Sequence, residues 1–333
     1  MTTQHLSSVS VHPSTRFPWS SPIVEELAET ENRLRAVPEG QHEMLTGAME
    51  GLFGAGGKRI RPALALLTAG VLGVDMKHAT FIAAAVELLH TATLVHDDLI
   101  DGASLRRGSP TLNAIWSPDI AVLVGDYLFS RSASLIARVN TVSVMNLFAK
   151  TLSIILNGEI MQRFSKWNID RERYYQRIYA KTGALFVLPS QSVTLLGNVG
   201  ETVVEAFVTF SRALGMAFQI VDDILDFVGE TDRIGKPIGS DLRQGLFTLP
   251  AIYYAENHPQ DPVLIRFIQS QNGSPELVQR VIDNIQTSGT IAHALNEAQR
   301  LVEAGKRALH IFPDSAYKES LFTLADHIVQ RDF

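Results

Sequence analysis

Residues 77–101 read KHATFIAAAVELLHTATLVHDDLID, and the period of this run decides the fold class. Apolar residues recur at three- and four-residue spacing along it, the repeat of one helical face. A β-strand would alternate polar and apolar positions and would rarely run so long. The spacing therefore predicts one helix of ~37 Å at 1.5 Å per residue. It closes on His96, Asp97, Asp98 and Asp101. Asp97 and Asp101 are four apart and project from one face, with Asp98 beside them.

A second run ends the same way. Within the helical stretch 201–229 lies FQIVDDILD (218–226), where Asp222 and Asp226 share a face and Asp223 is their neighbour. Like charges gathered near a helix C-terminus are unfavourable by themselves, so a partner is expected. Oxygen-only clusters suit Mg²⁺, which keeps several waters and bridges carboxylates to substrate phosphates. One such cluster would suit a solvated helix end equally well. Two clusters, each set in strongly apolar flanks, favour a metal site.

Helical periodicity continues over 23–36, 59–73, 118–138, 142–166, 170–197, 247–257, 274–287, 291–309 and 315–331. Gly and Pro fall mostly between these stretches, at 38–40, 54–57, 109–110 and 235–239. Strand-like alternation is nearly absent, and no fixed repeat or linker divides the chain. The expectation is an all-α single domain of long helices over 22–333. A mobile leader rich in Ser, Thr, Pro and His is expected to precede it over 1–21; one arginine there (Arg16) argues against a transit peptide.

Composition narrows the function. The 333 residues (36.6 kDa) are 46% apolar and 19% charged, enough for a sizeable core. A net charge of −6 disfavours a general nucleic-acid binder. With no cysteine, disulfides, zinc–thiolate sites and Cys nucleophiles are excluded. Apolar runs look shorter than about 18 residues or broken by charge, so no transmembrane helix is expected. No secretory signal is apparent, and a soluble, cytoplasmic protein is expected.

Cations match the acids. The run GGKRIRP (56–62) offers Lys58, Arg59 and Arg61 after glycines that let the backbone approach an anion, without P-loop spacing. Arg106 and Arg107 follow the first acid cluster, and Lys181, Thr182 and Lys236 lie in the second half. Each alone is more often a solvated surface residue. As a set bracketing both clusters they favour a diphosphate ligand, since Arg binds phosphate bidentately and Lys supplies a movable point charge.

At this point the chain resembles the trans-isoprenyl diphosphate synthases, or polyprenyl synthetases. The matching blocks run in order as GGKRIRP (56–62), HTATLVHDDLID (90–101), RRGSPTLN (106–113), AVLVGDYL (121–128), GEIMQ (158–162), KTGALF (181–186), FQIVDDILD (218–226), GKP (235–237) and GSDLRQGLFTLP (239–250). The resemblance implies long helices around a deep central cavity, usually in a homodimer, with the two aspartate motifs facing across its mouth. Asp97, Asp98, Asp101, Asp222, Asp223 and Asp226 would hold about three Mg²⁺ ions on the allylic diphosphate. Lys58, Arg61, His90 and Arg107 would hold isopentenyl diphosphate. Arg106, Lys181 and Lys236 would hold the allylic diphosphate, with Thr182 and Gln219 lining the reacting region. The implied reaction extends an allylic prenyl diphosphate with isopentenyl diphosphate through an allylic cation shielded from water. Peripheral membrane contact would suit a long product.

One departure is plain: the family's usual Lys before the T-L-P block is Leu246 here, with Arg243 a candidate replacement. The 330–333 ending, QRDF, is also less basic than the ending many members carry. By the same resemblance, product length is set on the helix before the first motif. Ala92 and Thr93 are small, followed by Leu89, Leu88 and Ala85, with Phe81 deeper. That favours a product beyond C20 over a C15–C20 synthase, unless Phe129, Ser130, Ala133, Met161 or Phe164 forms a floor from the opposite wall.

Three rivals stand beside this. A ferritin-like di-iron site would use Glu87-x-x-His90, but its partner pair Glu39 and His42 sits beside Pro38 with a glycine inside. A terpene cyclase shares the fold but mixes Asn, Ser/Thr and Glu in its second site. A non-catalytic partner subunit usually loses acid-motif residues, and all six aspartates remain. Trp116 and Trp167 are read as packing, Glu159 and Gln162 as hydrogen-bonding residues, and the remaining histidines, His327 among them, as having no site role.

Overall fold

The computed structural model describes residues 17–37, 41–54, 56–106, 108–228, 238–271 and 273–330. A short 3₁₀ turn, Pro18–Ile23, leads into α1 (Val24–Arg35), α2 (Glu43–Phe53), α3 (Ile60–Leu72) and α4 (Met76–Ile100). A two-residue hairpin then pairs β1 (Leu105–Arg106) antiparallel with β2 (Ser109–Pro110). Next come α5 (Leu112–Ile115), α6 (Pro118–Ala137), α7 (Val142–Phe164) and α8 (Arg171–Ile178). A π-helical turn, Tyr179–Gly183, joins α8 to α9 (Ala184–Leu196), and α10 (Glu201–Val228) follows. The remainder is α11 (Ser240–Arg243), α12 (Leu249–Asn257), α13 (Pro262–Ser270), α14 (Pro275–Thr287), α15 (Thr290–Ala308) and α16 (Ala316–Val329).

The expected all-α fold is what forms. α4 begins where the Asp75 carboxylate accepts the Lys77 backbone N–H at 2.9 Å, satisfying an N-terminal donor. α3 is buried from Ile60 through Ala69, as befits a helix apolar all round. α4 packs between α3 and α6, and α10 between α9 and α15, around one continuous core. The amphipathic α14 and α15 close the outer side, turning Val278, Val281, Ile282 and Ile285, and Ala294, Ala298 and Val302, inward.

Several sequence expectations change. The expected leader extends at most to residue 16, outside the described residues. Trp19 and Ser20 are buried, because Phe17 and Trp19 are large apolar groups with a core surface to cover. The stretch 170–197 is broken by the π turn, and α2 and α13 appear where no helix was expected. Three helices, α4, α6 and α10, prove long and apolar enough to cross a membrane, which corrects the expectation from run length. In α4 most of that apolar stretch is buried inside the protein; α6 is the least covered, with Val122 and Leu123 exposed.

Candidate active site

The π turn ties the two acid motifs together. Lys181 Nζ lies 3.9 Å from Asp97 Oδ2 and 2.7 Å from Glu159 Oε1 on α7. The next residue, Thr182, donates its hydroxyl to Gln219 Oε1 at 2.6 Å, and Gln219 donates to Asp223 Oδ1 at 2.8 Å. One five-residue turn therefore touches the first motif through Lys181 and reaches the second, by way of Gln219, through the neighbouring Thr182. Close approach allows it: a Cβ on Gly158 of α7 would lie 2.7 Å from Ala180, and one on Gly215 of α10 would lie 2.8 Å from the Gly183 Cα. Widened helical turns of this kind are frequent at functional sites.

The aspartates are not equivalent. Asp97 is largely shielded from solvent, and burial lifts its carboxyl to about 6 against the pull of the Lys181 ammonium. Burial opposes the Lys181 charge too, but Asp97 and Glu159 outweigh it and hold that ammonium above its ordinary range. Asp98 is buried and accepts from Arg106 Nε at 2.7 Å, which fastens the β1–β2 hairpin over the end of α4. Asp101 is exposed, 3.8 Å from an Arg163 guanidinium nitrogen.

In the second motif Asp223 is buried and accepts from the Tyr174 hydroxyl at 2.7 Å as well as from Gln219. Burial, and the nearby Asp241 charge, push its carboxyl up to about 7 despite those two bonds. Asp226 accepts the backbone N–H groups of Ser240 at 3.1 Å and Asp241 at 3.2 Å, tying the end of α10 to α11. Among the described residues no group of three or more His, Cys, Asp or Glu side chains forms a closed metal cage. Mg²⁺ held by one or two carboxylates, waters and a substrate diphosphate needs no cage. The donor set fits that arrangement: hard oxygens only, with Asp97 and Asp101 one turn apart.

The 56–62 run makes a second cationic corner. Arg59 adopts φ +47° at the start of α3 and buries its guanidinium between Glu31 (2.6 Å) and Glu87 (2.9 Å). Arg61 stacks its guanidinium over Phe186 at 4.7 Å and Phe218 at 5.9 Å. Lys58 Nζ reaches His327 Nε2 of α16 at 3.1 Å, so His327, set aside from sequence, sits beside a residue expected in the site. His90 is partly exposed, a turn or more deeper on α4 than Asp97. Because Glu87 is committed to Arg59, and His42 caps α2 by accepting the Met44 N–H, the di-iron reading loses both half-sites.

With this geometry in view, the match to known proteins is direct: the family description Polyprenyl synthetase covers residues 42–285. The chain belongs to the polyprenyl synthetase family. It is 36% identical over 308 residues to an all-trans-nonaprenyl-diphosphate synthase (geranyl-diphosphate specific) of Rhodobacter capsulatus, covering 91% of this chain and 94% of that one. It is also 36% identical to heptaprenyl diphosphate synthase component 2 of Geobacillus stearothermophilus, covering 93% and 97%. A crystal structure of a polyprenyl synthase from Caulobacter crescentus, complexed with calcium and isoprenyl diphosphate, superposes with a TM-score of 0.84 at 32% identity, covering 94% and 97%. The chain is thus a prenyltransferase with the all-α fold of its family.

In this polyprenyl synthetase Arg107 and Lys236 lie outside the described residues. Arg243, the candidate replacement for the missing lysine, donates to the Ile238 carbonyl (3.1 Å) and to Gln279 Oε1 (3.0 Å). Leu246 is buried, and the neighbouring Phe247 carbonyl accepts from Arg177 at 2.7 Å. Ala85, Leu88, Leu89 and Ala92 are fully buried, whereas Thr93 is partly exposed. Of the suggested opposite wall, Phe164 is 87% exposed and Met161 also faces out, while Phe129 packs on His96 at 5.4 Å. Tyr174, Arg177 and Asp241 went unnoticed in sequence. Tyr174 lies near the start of a polar helix with no motif of its own, and only the fold brings it to Asp223.

Proposed function

We propose that this polyprenyl synthetase extends an allylic prenyl diphosphate head-to-tail with isopentenyl diphosphate to a product longer than C20. The π turn carries the proposal, because its Lys181 pairs with Asp97 while its Thr182 reaches Asp223 through Gln219. Asp97, Asp101, Asp222 and Asp226 would hold magnesium. Asp98 and Asp223 would act from behind, orienting Arg106 and Gln219, with lone pairs to spare for metal contact. Bound magnesium would neutralise charge on the departing diphosphate.

This chain's own groups do the rest. Arg106 and Lys181, already paired with carboxylates, would move onto the allylic diphosphate as its C–O bond breaks and the electron pair leaves on oxygen. Lys58, Arg61 and His90 would hold isopentenyl diphosphate so that its double bond attacks the resulting cation. A C–C bond forms, and the proton lost passes to the leaving diphosphate. The apolar walls of α3, α4 and α9 exclude the water that would quench the cation. The buried run from Ala92 to Ala85 would open around the growing chain.

The exposed Val122 and Leu123 on α6 and Leu156, Ile160 and Phe164 on α7 support a homodimer, as a large apolar surface marks an interface. We also propose a cytoplasmic enzyme whose product end meets a membrane. The test incubates purified protein, its mass in solution measured first, with Mg²⁺, labelled isopentenyl diphosphate and C5, C10, C15 or C20 starters. Twice the chain mass and a product ladder ending beyond C20 are expected. A ladder stopping at C15–C20 would sink the chain-length proposal. No product from any starter would favour a non-catalytic subunit.

A further inference from the structure

The 3₁₀ turn at one end of the chain and α16 at the other meet beside Lys58. We infer that His327 is a positioning residue: held by Trp19 and Phe17, its imidazole fixes the Lys58 ammonium for the second diphosphate. This rests on the reading that Lys58 binds isopentenyl diphosphate.

Register puts the two residues together. α16 runs antiparallel to α3, and the helices come so close that a Cβ on Gly70 would lie 2.2 Å from the Tyr317 ring. From that contact, Lys58 lies twelve residues back along α3 and its lead-in, and His327 ten residues forward along α16 (70 − 58 and 327 − 317). At 1.5 Å per helical residue, Gly70 back to Ile60 and Tyr317 on to His327 each cover ~15 Å, so Lys58, just before α3, ends near the level of His327. Leu324 and Ile328, buried on either side of His327, fasten that end of α16 to the core.

The imidazole is also held from above. Its ring lies 4.6 Å from the buried Trp19 ring and 6.4 Å from Phe17, and those two rings stack at 4.7 Å within 8° of parallel. The Ser20 hydroxyl and backbone N–H both donate to the Phe17 carbonyl, at 2.6 and 2.9 Å, which sets the turn. An ammonium has only donors, so the 3.1 Å contact needs Nε2 as an acceptor and hence a neutral ring with its proton on Nδ1. Lysine carries three N–H donors, so one can stay on His327 while others reach a diphosphate. A lysine already fixed loses less freedom when the anion arrives.

The test measures steady-state kinetics for His327→Ala, His327→Gln, Lys58→Ala and the double variant H327A/K58A, with melting curves beside them. His327→Ala should raise KM for isopentenyl diphosphate about two- to tenfold, leaving kcat and the allylic KM near wild type. Glutamine, whose Oε1 also accepts, should recover most of that loss. In the Lys58→Ala background the second substitution should add nothing. Trp19→Ala should move the same KM in the same direction, and Trp19→Phe much less. An unchanged KM in His327→Ala, the same rise with Lys58 already removed, or parallel shifts in kcat and both KM values would overturn the role of His327. If Lys58→Ala itself leaves that KM untouched, the assignment of Lys58 fails and the inference with it.

Discussion

Asp97, with a carboxyl lifted to about 6, and Asp223, at about 7, lie in different motifs and are perturbed first by burial. A metal binds the ionised form, so apparent Mg²⁺ affinity should climb with pH by up to about tenfold per unit below 6 and level off above it. Calorimetric titration with a diphosphate present would read that slope, and Asp97→Asn should flatten it. The same variant should lower turnover about a thousandfold with an unchanged circular dichroism spectrum; near-normal turnover would remove Asp97 from the metal site. Asp223 makes a stability prediction. A carboxyl raised in the folded chain binds its proton more tightly there than in the unfolded chain. Its contribution is therefore greatest at acid pH and is lost as pH climbs from about 4 through 7. Asp223→Asn, with an amide oxygen still able to accept from Tyr174, does not titrate. Denaturation curves should show it gaining on the wild type over that span by up to about 4 kcal/mol; a constant difference would contradict the shift.

Among the elements, the lead-in to α3 is the most constrained. Arg59 holds a left-handed backbone that only its buried pairing with Glu31 and Glu87 makes tolerable. Arg59→Met would leave Glu87 without its cation in the core and Glu31 with only Arg35 at 3.7 Å, and should cost about 3–5 kcal/mol in urea unfolding. A loss below 1 kcal/mol would mean that Glu31 and Glu87 find solvent or take up protons. Long helices such as α4 and α10 were legible because period and length agree, and their terminal aspartates were legible because charge at the end of an apolar run is conspicuous. α2 was hidden by Gly47 and Gly51, which break its pattern. The π turn left no trace, since the close approaches that accompany it are made by Gly158 and Gly215 on other helices. For the same reason the sequence announced Lys181 and Thr182 as polar residues without saying that they reach different motifs.

At the scale of the molecule, helix packing decides how far a product can grow. Ala92 sits just below the first motif and is fully buried, so Ala92→Phe must displace its neighbours, at about 1–3 kcal/mol. We expect a shorter principal product and a lower melting temperature; a product of unchanged length would take Ala92 out of the chain's path. The pairing of Trp19 with His327 carries a consequence for biosynthesis. At about 5–20 residues per second, the ribosome delivers His327 roughly 15–60 seconds after Trp19. Throughout that interval the aromatic turn has no α16 to cover it, and for about its last third, after Asp226, both aspartate motifs have already been made. A chain cut between Asp226 and α16 would therefore carry both acid motifs and leave the corner at Lys58 open.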